Sequence, residues 1–115
     1  MTVTDSLAEL RSILPARLLR ELQKLARKYY EDGISLFIFG SFARGDPRPT
    51  SDLDLGVEWH TERNPRTFSR LYWDVQELPT VREIDLVDFG QVDANFRRVA
   101  GTNKAYLYKR GDSQP

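Results

Sequence analysis

A chain of 115 residues suits one domain able to bury a modest core. Seventeen acidic residues balance seventeen basic ones and 40% of positions are hydrophobic, a globular composition with no overall charge to favour direct nucleic-acid binding or a membrane surface. Cysteine is absent, which excludes disulfides and thiolate zinc sites. No long apolar run or signal-like start appears, so a cytoplasmic location is expected. With no internal repeat and no interdomain linker, residues 1–115 read as a single domain.

In chain order, Thr4 or Asp5 is placed to cap a first helix over Ser6–Arg11, and Pro15 suits the first turn of a second helix running to about Tyr30. Leu14, Leu18, Leu22, Leu25 and Tyr29 give that helix an apolar face, opposite a stripe of Arg17, Arg20, Lys24, Arg27 and Lys28. The stripe is either solvated surface or a meeting place for an acidic partner. Ile34–Phe39 is a mostly apolar run, rich in β-branched and aromatic residues, expected of a buried strand.

Gly40 ends that strand. Ser41 is expected to cap a turn through Phe42, Ala43 and Arg44, with Gly45 as its stop. Such a turn is either ordinary chain reversal or a cradle whose N–H groups favour phosphate. The loop from Asp46 to Thr50 holds two prolines and is neither helix nor central strand. Arg44 and Arg48 are each either phosphate-neutralising or plain surface.

Asp52, Leu53, Asp54 and Leu55 open the next strand. Alternation puts Asp52 and Asp54 on one face, roughly 6–7 Å apart, and the leucines on the other, in the core. Two like charges on one strand face repel, so the pair is either a solvated edge or the holder of a cation, and hard oxygen ligands select magnesium or manganese. The strand continues to Trp59, and a polar link carries the lone His60.

Asn64 and Pro65 start a helix whose buried stripe is read as Phe68, Leu71, Tyr72, Val75 and Leu78, ended by Pro79. A third strand follows within Val81–Phe89. With Ile84 and Leu86 in the core, Asp85 faces the other way, and a neighbouring strand at about 4.8 Å brings it beside Asp52 and Asp54. Three such carboxylates can hold two divalent ions about 3.5–4 Å apart. Asp88 falls on the opposite face, as a strand-end or turn residue. Val92, Phe96, Val99 and Ala100 suit a short helix stopped by Gly101, and Ala105–Tyr108 reads as a last strand with Tyr106 and Tyr108 on one face. The tail from Arg110 to Pro115 reads as flexible. The order gives an α/β (α+β) fold: a small mixed sheet with helices packed on one face and the acids on the other.

Gly40-Ser41, ten further residues, Asp52-Leu53-Asp54 and a later Asp85 resemble the signature of the DNA polymerase β nucleotidyltransferase superfamily. The strings Gly40–Gly45 and Ser51–Leu55 look most like the minimal nucleotidyltransferases, MntA-like antitoxins paired with HEPN-domain toxins. The resemblance implies a magnesium-dependent enzyme, with two ions and manganese as a substitute, that transfers AMP from ATP to a hydroxyl of a partner protein. It implies Asp52, Asp54 and Asp85 as catalytic metal ligands and Gly40, Ser41, Arg44 and Ser51 as nucleotide contacts. The partner would be a HEPN-type toxin bound in a hetero-oligomer. Two other readings stay open: an antitoxin that acts by steric binding alone, and an enzyme acting on a small aminoglycoside-like molecule.

Overall fold

The computed structural model describes residues 6–109. Thr4, Asp5 and the tail from Arg110, named above as caps and as a flexible end, lie outside the described residues. The elements are α1 (Ser6–Arg11), α2 (Ala16–Tyr30), β1 (Ile34–Phe39), α3 (Ser41–Arg44), β2 (Leu53–Trp59), α4 (Pro65–Gln76), β3 (Ile84–Asp88), α5 (Ala94–Ala100) and β4 (Ala105–Tyr106).

The apolar run Ile34–Phe39 becomes an inner strand of a four-stranded mixed sheet in the order β3-β2-β1-β4. β1 pairs antiparallel with β2 and with β4, while β2 and β3 run parallel, an arrangement that needs a crossover connection, here made by α4. Alternation along β1 sends Ile34, Leu36 and Ile38 into the main core and Phe37 and Phe39 into a second cluster with Phe89 on the other face. Phe37 lies over Gly56, its partner in register. A Cβ at Gly56 would stand 2.3 Å from that ring.

Leucines 18, 19 and 22 with Ala26 and Tyr29 bury one side of α2 against the main core, and the five basic residues of its other side are exposed. α1, α3 and α4 add Leu10, Phe42, Leu71 and Val75 to the same core. The sheet is therefore backed by helices on one face, as expected from the order of elements. α5 alone departs from that expectation: it stands across the face that carries the acids, where Phe96 reaches Phe39 and Phe89 at ring separations of 6.5 and 5.8 Å.

Three local expectations are corrected. In α4, capped by the Asn64 side chain with Pro65 in its first turn, the buried positions are Thr67, Leu71 and Val75. Tyr72 is 42% exposed, because the buried stripe is narrower than the apolar spacing implied. β4 ends at Tyr106, so alternation does not carry on to Tyr108. Tyr106 packs with Phe37, whereas Tyr108 meets Tyr30 and the main core. No helix among the described residues is long and apolar enough to cross a membrane.

A polar lock ties α2 to α4. The buried Tyr29 donates its hydroxyl to Asp74 at 2.7 Å, and Lys28 reaches the same carboxylate oxygen at 3.1 Å. Burial, then the bond to Asp74, pushes Tyr29 up to about 12, so it stays a donor through the physiological range. Burial alone would raise Asp74, but Tyr29 and Lys28 outweigh it and hold the carboxyl below its ordinary value. A carboxylate depressed in the folded state stabilises at neutral pH and loses that contribution as pH falls through its folded value. Tyr29→Phe is expected to lower unfolding stability by about 1 kcal/mol at neutral pH, measured by urea denaturation, and the gap to wild type should close on acidification.

Candidate active site

Gly40 leaves β1 at φ 76° and ψ −150°, a region that is essentially open to glycine alone. A Cβ built there would lie 2.1 Å from Oδ2 of Asp54. The Asp54 carboxylate thus rests directly against the backbone of residue 40, on the strand paired with it: Phe39 and Asp54 are register partners across β1 and β2. The predicted capping by Ser41 is corrected. Gly40 itself occupies the cap position without a side-chain bond, and Ser41 is the first residue of α3. The Arg44 N–H closes the turn on the Gly40 carbonyl at 3.0 Å, which leaves the N–H groups of residues 41 to 43 ahead of the first intrahelical bond. Gly45 ends the turn in the left-handed conformation, as expected.

On the other side of β2, the parallel register sets Asp85 directly beside Asp54. Burial, then Asp85, then Asp52 push the Asp54 carboxyl above its ordinary value, and Arg44 opposes them. Asp52 is exposed and stands one residue ahead of β2. It is held from both sides. The Ser51 carbonyl accepts from the Arg82 guanidinium, and the Leu53 N–H donates to the Glu83 carbonyl at 2.9 Å. Arg82 also lies 4.9 Å above the Phe42 ring, so one side chain ties the Asp52 loop to α3. No sequence signal singled it out, because both of its carbonyl partners, Pro49 and Ser51, lie over thirty positions upstream.

A cleft of about 540 Å³ is lined by Gly40, Arg44, Asp54 and Asp85 together with apolar side chains of β1, β3 and α5. Four of the seven sequence-predicted site residues thus share one cavity. Asp52, Ser41 and Ser51 are not in its lining, and the Ser51 hydroxyl accepts the Arg48 N–H at 2.8 Å, closing a turn of the loop. Among the described residues no three His, Cys, Asp or Glu side chains are gathered closely enough to hold a metal ion. What is preformed is a pair, Asp54 and Asp85, with Asp52 as a neighbour. The donor set fits a hard divalent ion all the same: the oxygens are carboxylate, and a bound cation would offset both the burial and the neighbouring carboxylates that raise Asp54. Asp88, on the opposite parity as expected, is buried at the end of β3, where it accepts from Trp59 Nε1 at 3.0 Å and Arg63 Nε at 2.6 Å.

Compared with known families, residues 20–113 match the family described as "Polymerase beta, Nucleotidyltransferase". The chain belongs to that family. Among solved structures, this nucleotidyltransferase is similar to a chain described as the "crystal structure of the toxin-antitoxin with AMP-PNP", at 20% identity and a TM-score of 0.60, over 78% of this chain and 72% of that one. It is also similar to a candidate nucleotidyltransferase of Sulfolobus solfataricus, at 20% identity and a TM-score of 0.48, over 96% and 93% of the two chains. No curated protein sequence matches the nucleotidyltransferase.

Gly40→Ala is expected to lower unfolding stability by about 1–3 kcal/mol from backbone strain, and further through its clash with Asp54. Gly45→Ala, where the added Cβ meets nothing within 4 Å, should cost only the left-handed backbone strain of about 1–2 kcal/mol. Chemical denaturation of the two variants side by side checks the ordering.

Proposed function

We propose that this chain is a magnesium-dependent nucleotidyltransferase that moves AMP from ATP to a hydroxyl of a partner protein, and that it serves in this way as antitoxin to a HEPN-type toxin. The observation that carries the reading is the register that places Asp85 beside Asp54, with Asp54 against the glycine turn. Family membership supports the reaction type. The toxin–antitoxin structure with AMP-PNP has the same fold and supports the choice of partner class and of adenine nucleotide.

Asp54 and Asp85, joined by Asp52, would hold the ion, with manganese able to replace magnesium on the same oxygen ligands. Bound there, it would supply charge neutralisation for the triphosphate and for the α-phosphate under attack. Gly40 and Ser41 begin the turn whose N–H groups face the phosphates, and Arg44, half exposed beside the acids, neutralises phosphate oxygens. Ser51 is assigned to the nucleotide through the loop it closes rather than by direct contact. Asp85 is the more exposed member of the pair, so an acceptor hydroxyl approaching from solvent can pass it a proton. The acceptor oxygen then bonds the α-phosphorus and pyrophosphate leaves. Arg82 acts as a positioning residue by fixing the loop in front of Asp52.

Intact mass spectrometry of the partner toxin, incubated with this protein, magnesium and each nucleoside triphosphate, tests the proposal. Added mass of adenosine monophosphate is expected with ATP. Asp54→Asn and Asp85→Asn should each reduce its rate at least about a hundredfold, while the midpoint of thermal unfolding stays level or rises, since each removes one of two facing charges. A partner that is silenced without any gain in mass would overturn the catalytic reading and leave occlusion.

A further inference from the structure

The apolar side of the cleft is unusual for a surface. α5 has no fully buried residue, and its Phe96 and Val99 are 39% and 58% exposed, although both line the same cavity as the acids. The two sides are continuous. Phe39 is the register partner of Asp54, Val87 lies two residues along β3 from Asp85 on the same face, and Phe96 stacks edge-on to Phe39. Pockets of this size that combine an apolar wall with a few polar groups suit a small organic ligand.

We infer that the α5 wall is the seat of the nucleobase, a step that rests on the nucleotidyltransferase reading of the acid pair. A triphosphate held at Gly40, Arg44 and the acids has its base on the same molecule, and the cavity offers that base one apolar surface, made by Phe39, Val87, Phe96, Val99 and Ala100. Stacking on aromatic and aliphatic side chains tolerates any base. Choice among bases then falls to the polar residues at the end of α5. The Thr102 hydroxyl is committed to the Arg98 carbonyl at 3.2 Å. Asn103, exposed and lining the cleft, has the paired donor and acceptor that match adenine N7 and N6. The occupant is therefore assigned as an adenine ring, and not an aromatic side chain of a protein partner.

Isothermal titration calorimetry of the whole chain with magnesium ATP, magnesium GTP and magnesium tripolyphosphate separates the base from the phosphates. Wild type is expected to bind ATP at least about tenfold more tightly than tripolyphosphate. Phe96→Ala and Val99→Ser should each erase most of that difference while leaving tripolyphosphate affinity unchanged, and Asn103→Ala should narrow the gap between ATP and GTP. Val99→Ser guards against a loss caused by loosening the Phe39–Phe89 cluster, since Val99 is mostly exposed. If tripolyphosphate binds as tightly as ATP, or both wall variants bind ATP as wild type does, the seat is overturned while the acid site stands. If wild type binds neither ligand, the acid-site reading fails and takes the seat with it.

Discussion

The carboxylate of Asp54 occupies the space in which any side chain at residue 40 would begin, and much else follows from that contact. It requires a glycine in a backbone conformation that other residues avoid. It requires β1 and β2 to pair in the register that makes Phe39 and Asp54 partners, and that register is enforced by the burial of Leu36, Ile38, Leu55 and Val57 on the opposite face, because a one-residue slip would turn them out of the main core and onto the face that carries the acids. The parallel pairing of β3 then delivers Asp85 to the same spot. A hydrophobic core on one face of the sheet thus sets the placement of charge on the other.

That placement is costly in itself. Asp54 is partly buried, faces one carboxylate and has a second nearby, and its proton is held more tightly than in an ordinary carboxyl group. Groups kept in such surroundings destabilise the resting fold and are common where function demands them. The rest of the molecule offsets this strain with rigid supports: the Tyr29–Asp74 lock behind the sheet, the Arg82 clamp on the loop before Asp52, and the Asp88–Arg63–Trp59 cluster at the far end of β3.

Local pattern made a large part of this legible in the sequence. Alternation alone assigned Asp54 and Asp85 to one face and Leu53, Ile84 and Leu86 to the other, and strand parity set Asp88 apart. Helix bounds followed from Pro15, Asn64, Pro65 and the spacing of leucines. What escaped was nonlocal or ambiguous at short range. Gly40 and Ser41 are adjacent and both accepted at a helix cap, so the serine was the natural choice until Asp54 explained the glycine. Arg82 reaches carbonyls across the fold. The exposure of Phe96 and Val99 on α5 was not legible either, because periodicity records which residues are apolar, not whether anything packs on them.

The function proposed for the Asp54–Asp85 pair is to hold a divalent ion and a triphosphate together. Electron paramagnetic resonance of manganese, titrated into the protein with and without ATP, tests it most directly. Weak binding of manganese alone is expected, as suits a preformed pair of carboxylates, with strong binding once ATP supplies phosphate oxygens and loss of that gain in Asp54→Asn. Manganese that binds equally with or without ATP, or that is unaffected by Asp54→Asn, would contradict it.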